Sequence, residues 1–472
     1  MSVRLLPRRL LLAALTSLAS AELRAQQMPA PAAVDKIFAA YDAPGSPGCA
    51  LGVAQNGRML YEHGYGTAEL EWGVPISPTT VFNVGSISKQ FVAASIALLA
   101  ERGQLSLDDD IRKFVPELPA YQAPITIRQL LHHTSGIRDM LELMYLAGVD
   151  INTHHSTEEY LGLLARQKEL NFPPGTQHLY SNSGYFLLGL VVQRASGTSL
   201  RAFAERNIFG PLGMTDTHFH DDNRMIIPRR AESYARAGDH WVLDYSTNFD
   251  RVGPGGVNTT VRDMALWDHS FDTGSLGGPD FRATMLTRGV LANGDTIPYA
   301  LALVHGDQGG LRTISHGGSS LGFRAHYLRF PEQHVAVVVL CNTPANPARL
   351  AAQVATLYLA DQMHPVTAVA AAQQGAAEPS EVALATSELQ SFTGDYRSDE
   401  LDATYRIIPK DARLVVHRVG ADDIALVPIG GDRFRSAIGT LEFGRTAAGE
   451  REFRLQGGRM KNLLFRRALT PR

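Results

Sequence analysis

The chain has 472 residues, a formal net charge of −3 and 19% charged residues, which leaves room for two or three units and a sizeable core. The near-neutral balance and the lack of any basic run argue against nucleic-acid binding. With only two cysteines, Cys49 and Cys341, a disulfide framework or a cysteine metal site is excluded, and one disulfide is the most that can form.

Residues 1–21 read as an export signal. Arg4, Arg8 and Arg9 precede the apolar run from Leu10 to Leu18, and Ala19-Ser20-Ala21 offers a small-residue cleavage site. Arg8-Arg9 ahead of leucines also fits a twin-arginine signal. A periplasmic or secreted location is therefore expected. That run is too short to span a bilayer, and no later stretch is long and apolar enough, so no membrane span is expected.

Past the signal, Pro29 to Pro31 reads as a linker and Val34 to Tyr41 as a short helix. Cys49 to Ala54 and Arg58 to Gly64 read as a hairpin around Asn56-Gly57, a favoured two-residue turn. The next stretch is Val84-Gly85-Ser86-Ile87-Ser88-Lys89-Gln90-Phe91, where a short apolar run passes through Gly85 into a helical pattern that Gly103 ends. The spacing puts Ser86 in the first turn, with Lys89 on the same face. An amine so placed can take the hydroxyl's proton, and the helix N-terminus favours an oxyanion. Only six residues are lysine among 44 basic ones, and only Lys89 has a serine three positions upstream. An arginine-preferring chain that keeps lysine here points to a titratable amine. The same spacing also fits an ordinary solvated helix face.

Ile127 to His132 begins another short helix, and Pro173-Pro174-Gly175 breaks the chain before Tyr180-Ser181-Asn182. This Tyr-x-Asn sits on a loop ahead of an apolar helix over Tyr185 to Arg194, where a phenol can relay protons and an amide can bond an acyl group. It also reads as a plain turn. Gly253 to Gly256 leads to Thr260 and a helix through Trp267. Leu311 to His316, Phe323 to Phe330 and Val335 to Cys341 read as three strands. His316-Gly317-Gly318 ends the first, so a substrate backbone can lie close and the next amide can meet an oxyanion. The other reading is a flexible strand end. Strands at both chain ends with helices between suggest one sheet and a mainly helical middle.

Residues 363–386 read as a linker rich in Ala, Gln, Gly and Glu. Beyond it, seven short alternating runs between turn signals, from Tyr405–Ile408 to Leu463–Phe465, predict a small all-β antiparallel unit over 387–472. That unit is expected to stand independently and to hold no catalytic residue.

Three patterns compete. Gly318-Ser319-Ser320-Leu321-Gly322 matches the Gly-x-Ser-x-Gly elbow, but a strand rather than a helix follows it. His218, His220 and Asp222 have metal-like spacing and define the rival reading of a metal-dependent hydrolase. His132-His133 and His154-His155 read as surface or satisfied core histidines.

Ser-x-x-Lys, Tyr-x-Asn and His-Gly-Gly occur once each, in that order. The constellation resembles the serine β-lactamase and penicillin-binding-protein superfamily, in the branch of class C β-lactamases, esterases of that fold and D-amino-acid peptidases. Ile125 to Ile137, Pro173-Pro174-Gly175 and Gly255-Gly256-Val257 ahead of the Asp263 helix are similar to it too, and the likeness spans roughly residues 32–362. The tail looks like the lipocalin-type barrel that some members carry.

The resemblance implies an α/β (α+β) fold: an antiparallel sheet flanked by helices, a helical subdomain and a small β-barrel. It also implies Ser86 as nucleophile, and Lys89 as base alone or shared with Tyr180. Asn182, His316, Gly317, Gly318 and Ser319 would bind substrate, the amides of Ser86 and Ser319 forming the oxyanion hole. No metal or organic cofactor is expected. Partners would be small ester, amide or peptide substrates and cell-wall fragments. Cys49 and Cys341 would begin and end neighbouring antiparallel strands.

One departure stands out. Many members have Lys-Thr-Gly or Lys-Ser-Gly where this chain has His316-Gly317-Gly318, so the fixed charge and hydroxyl that help hold a substrate carboxylate are missing. Short uncharged esters or small amides are therefore expected over penicillins and D-Ala-D-Ala peptides, unless an arginine such as Arg324 supplies the charge. β-Lactamase, D-Ala-D-Ala carboxypeptidase or D-aminopeptidase activity, and a sensor that is acylated without turnover, are the alternatives.

Overall fold

The computed structural model describes residues 29–244, 252–364, 380–411, 413–418 and 422–468. The expected signal and most of the expected linker lie outside them. Its centre is a six-stranded antiparallel sheet: β1 (Cys49–Gln55), β2 (Arg58–Tyr65), β3 (Val304–Gln308), β4 (Leu311–Ser320), β5 (Phe323–Phe330) and β6 (Val335–Cys341). The order across the sheet is β3-β4-β5-β6-β1-β2, so strands from both chain ends meet at the β6–β1 pair. Asn56 and Gly57 both have positive φ (49° and 74°), as the tight β1–β2 turn requires. β4 runs four residues past the expected end, because Gly317 and Gly318 pair with His326 and Ala325 instead of turning.

Helices cover both faces, which is why β6 is apolar throughout and buried at every position. Leu51, Val53, Val337 and Val339 pack against the helices Pro31–Phe38 and Pro347–Leu359. On the other face Ala50, Val338 and Leu340 join the larger core with the helix Val261–Thr273. That helix is capped by the Thr260 side chain, which accepts from the Asp263 amide. Gly52 lets it approach, since a Cβ there would lie 3.0 Å from the Val261 Cβ.

The Ser86 stretch forms a 3₁₀ turn, Gly85–Ser88, that runs into the helix Lys89–Glu101. Every residue from Lys89 to Leu99 is buried. A helix enclosed on all sides is a core element, so the solvated-face reading of Ser-x-x-Lys is excluded.

Residues 394–467 form a closed eight-stranded antiparallel barrel. Its first strand, Gly394–Ser398, was not expected, because Gly-Asp-Tyr-Arg-Ser has too little apolar alternation to announce a strand. Aromatic rings fill the interior, with Phe453 stacked on Phe465 at 4.6 Å and Phe443 against Phe434 at 5.5 Å. The barrel locks onto the helical region through Arg138, whose side chain is fully buried. Its guanidinium donates to Glu400 Oε1 (2.8 Å), Gln167 Oε1 (3.0 Å) and the carbonyls of Lys461 and Asn462. Removing one partner of such a buried pair typically costs about 3–5 kcal/mol.

Cys49 and Cys341 face each other in register across β1 and β6 and are disulfide-bonded, with Cα atoms 4.0 Å apart. Both side chains lie on the face covered by the terminal helices. The bond closes a separation of 292 residues, which in the chain-entropy picture stabilises by about 5 kcal/mol. Reduction should lower the apparent Tm by on the order of 10 °C, and a Cys49→Ser/Cys341→Ser variant should melt low with or without dithiothreitol. Calorimetry on both proteins checks this.

Candidate active site

Three segments converge on one amine. Lys89 is fully buried, and its Nζ lies 3.0 Å from Ser86 Oγ, 2.9 Å from Asn182 Oδ1 and 2.6 Å from the Pro254 carbonyl. The last two are acceptors only, because Asn182 is held in one orientation. Its Nδ2 and its backbone amide both donate to Asp139 Oδ2, at 2.9 and 2.7 Å. Ser86 alone can either donate or accept. A neutral amine here gives its two hydrogens to Asn182 and Pro254 and aims its lone pair at the Ser86 hydroxyl, the geometry of a nucleophile with its base.

Glycines let the backbones close in. Gly85 has φ +50°, and a Cβ on it would lie 2.6 Å from the Ser319 amide nitrogen. A Cβ on Gly318 would lie 1.9 Å from the Val84 carbonyl. The Ser86 turn therefore runs directly beside the end of β4, where β3 no longer pairs. Ser88 fastens the turn from behind: its hydroxyl donates to the Gly85 carbonyl (2.6 Å) and accepts from the Val257 amide (2.9 Å).

Tyr180 completes the floor. Its ring centroid is 4.9 Å from Lys89 Nζ and 4.2 Å from the His133 ring. Burial pushes the phenol well above its ordinary value, while the neighbouring Ser86 hydroxyl pulls it back. A phenol so raised is protonated at neutral pH and acts as a donor.

His316 does not line the cleft, contrary to its expected place among the substrate contacts. Its side chain turns into the core, where Nδ1 donates to the Gly317 carbonyl (2.6 Å) and Nε2 accepts from Tyr299 Oη (3.1 Å). Tyr299 in turn accepts from His133 Nε2 (3.1 Å), and His133 Nδ1 accepts from the Ser181 amide (3.1 Å). Each partner fixes the next tautomer, so both nitrogens of His133 and of His316 are satisfied between the Ser181 amide and the Gly317 carbonyl. This chain of bonds backs the Tyr180 ring. Gly317 does not line the cleft either: it is exposed, with His326 beside it.

The cleft itself, about 340 Å³, is lined by Ser86, Tyr180, Asn182, Ser319 and Gly255-Gly256, with Leu141 and Ile151 on one side and Ser320 and Leu321 on the other. Arg459 reaches it from the barrel. Asp139, Pro254, His133, Tyr299 and Arg459 were all missed as site residues. Only Arg138-Asp139, a charged pair after the apolar Ile137, carried a signal.

The competing patterns fall away on geometry. Ser320 ends β4 at a strand-to-strand turn, with Leu321 at φ 52°, so no elbow forms. Arg324 is spent on the carbonyls of Leu321 and Phe323. Asp222 turns to Arg224 (3.0 Å) rather than to His218 and His220, and no group of three metal-ligating side chains forms among the described residues. His132 is a buried core histidine between the Arg128 and Thr287 carbonyls, one of which accepts from its neutral ring.

A family model described as Beta-lactamase matches residues 34–360. Among curated relatives, penicillin-binding protein 4* of Bacillus subtilis (strain 168) is 30% identical over 61% of this chain and 66% of its own. A D-aminopeptidase of Gluconobacter oxydans (strain 621H) is 28% identical over 63% of this chain and 56% of its own. The chain thus spans less than two thirds of the length of these relatives. The octameric penicillin-binding protein homologue from Pyrococcus abyssi shares the fold, with a TM-score of 0.60 at 21% identity over 92% of this chain and 98% of that one. The chain belongs to the Beta-lactamase family.

The buried histidines set a pH limit on stability. Burial, reinforced by nearby Lys89, pushes His316 down to about 3, against about 6.5 when unfolded. The unfolded chain then binds the extra proton, so stability rises with pH across this window and is fully present above about pH 6.5. Between pH 7 and 5 the Tm should fall. A His316→Asn variant should lose up to about 1.4 kcal/mol per pH unit of that dependence, read from denaturant unfolding at several pH values.

Proposed function

We propose that this protein is an exported serine hydrolase that acts on small amides, peptides or esters through an acyl-enzyme at Ser86. The carrying observation is the 3.0 Å Ser86–Lys89 contact, beside Lys89's bonds to two groups that can only accept, Asn182 Oδ1 and the Pro254 carbonyl. In the first half-reaction Ser86 Oγ attacks the substrate carbonyl carbon and its proton passes to Lys89 Nζ. The oxyanion forms against the amides of Ser86 and Ser319. As the carbon–nitrogen or carbon–oxygen bond breaks, Tyr180 delivers a proton to the leaving group and is reprotonated from Lys89. Water then attacks the ester carbon as Lys89 takes its proton, and when the carbon–Ser86 Oγ bond breaks Lys89 returns that proton to Ser86 Oγ, releasing the acid. Lys89 is the first base in this scheme because the Tyr180 phenol is raised by burial and stays protonated.

Relatives named D-aminopeptidase support amide and peptide substrates within this class. The Cys49–Cys341 disulfide supports export, since such bonds persist in oxidising compartments.

Ser86→Ala should abolish turnover, and Ser320→Ala should retain most of it. Lys89→Arg, which cannot give up its proton at working pH, should lose at least about 100-fold in kcat/KM. A fluorophosphonate or penicillin probe followed by peptide mapping should label Ser86, and labelling at Ser320 would overturn the scheme. A stoichiometric burst without turnover would instead identify a sensor.

A further inference from the structure

Among the described residues lining the cleft, one side chain is charged: Arg459, from the barrel. No carboxylate lines it, and Lys89 is sealed beneath the floor. Arg459 sits at the tip of the hairpin joining the last two barrel strands, and that tip is pinned. Gly458 has φ +53°, and a Cβ there would lie 2.2 Å from Glu142 Oε1. The Arg459 amide donates to Glu142 Oε2 (2.5 Å), and the Arg459 carbonyl accepts from Asn171 Nδ2 (2.9 Å). Asn171 Oδ1 accepts from the Lys461 amide (2.7 Å). The hairpin is therefore fixed on both sides of the arginine.

Its guanidinium lies over the Tyr180 ring, 5.0 Å from the centroid. The single hydrogen bond that it makes with a described residue is a long one, from Nη1 to Asp139 Oδ2 at 3.4 Å. Asp139 is already engaged by the amides of Asn182, Leu141 and Glu142. Most of the five N–H donors of Arg459 thus stay available at a preorganised, half-exposed site. We propose that Arg459 binds a carboxylate of the substrate, so that the preferred substrates are small amides or short peptides with a free carboxylate near the scissile bond. This rests on the Ser86 reading and replaces the expected preference for uncharged substrates. The charge missing from His316-Gly317-Gly318 is supplied by another part of the chain.

A charge-assisted pair of this kind gives roughly tenfold selectivity when half exposed, and less at high salt. Because the contact is the same in ground and transition states, it shows in KM more than in kcat. The test compares D-alanyl-glycine with D-alanyl-glycinamide, which differ only in that carboxylate. Calorimetric binding to full-length Ser86→Ala protein requires no turnover. The acid should bind about tenfold more tightly than the amide, with the ratio shrinking at high salt. The ratio should fall toward one in Ser86→Ala/Arg459→Gln, and Arg459→Lys should restore part of it. Equal binding, no binding of either ligand, or a preference that survives Arg459→Gln would overturn the proposal. Probe labelling is run alongside: Ser86 labelled without carboxylate preference refutes the Arg459 assignment alone, whereas a folded protein unlabelled at Ser86 refutes the reading beneath it.

Discussion

The structure is organised by the need to bury one amine without leaving any of its hydrogens unmet. A primary amine taken out of water must find partners for all its polar bonds, or folding loses several kcal/mol. Lys89 finds them on three segments distant in sequence: its own 3₁₀ turn, the start of the Asn182–Ser196 helix and the Gly253–Gly256 loop. Each segment must then be held in place. Asp139 orients Asn182, Ser88 ties the turn to Val257, and glycines at 85 and 318 allow backbone contacts that no side chain would permit. The Ser86–Lys89 contact is thus a consequence of packing.

The barrel enters the same chain of constraints. Arg138 and Asp139 are consecutive and both buried, yet they face different partners. Asp139 looks into the site through Asn182, while Arg138 looks outward to Glu400 and the carbonyls of the last barrel hairpin. A buried ion pair is weak evidence for stability, since desolvation offsets most of its attraction. Its effect here is positional. It sets the Ile137–Met140 backbone against the hairpin whose tip carries Arg459, so the two units share one short peptide segment as their common reference.

What could be read in the sequence was local. The Asn56-Gly57 turn, the helix after Thr260, the apolar β6 and the Ser86–Lys89 spacing each depend on neighbours within a few residues, and the fold class followed from them together with the family resemblance. Residues whose role depends on distant partners were not legible. Nothing near Tyr299 marks it as the link between His133 and His316, because its partners lie 166 and 17 positions away. His316 looked like a cleft residue because strand position alone does not tell which way a side chain turns at the end of a sheet. Gly394–Ser398 escaped because it sends a single large side chain, Tyr396, into the barrel, where it packs on Phe443 and Phe453. Arg459 was one arginine among many on a β-hairpin, and only the docking of that hairpin places it over Tyr180.

The same constraints explain why the cleft's positive charge sits on the barrel. β4 has no room for it. A side chain at Gly318 would collide with Val84, and His316 is committed to the hydrogen-bonded chain that backs Tyr180. A lysine at 316 would bring a second amine into the buried space near Lys89 and leave Tyr299 without its acceptor, a cost of about 1–3 kcal/mol for the lost bond alone. Arg324, on the adjoining strand, is held by the turn it closes. At the hairpin tip the backbone is fixed by Glu142 and Asn171, and the Arg459 side chain keeps only a long ion pair with Asp139 while it lies over the Tyr180 ring. The proposed acyl chemistry and charge recognition therefore come from separate units that meet at Asp139, whose Oδ2 accepts both Asn182 bonds and pairs with Arg459.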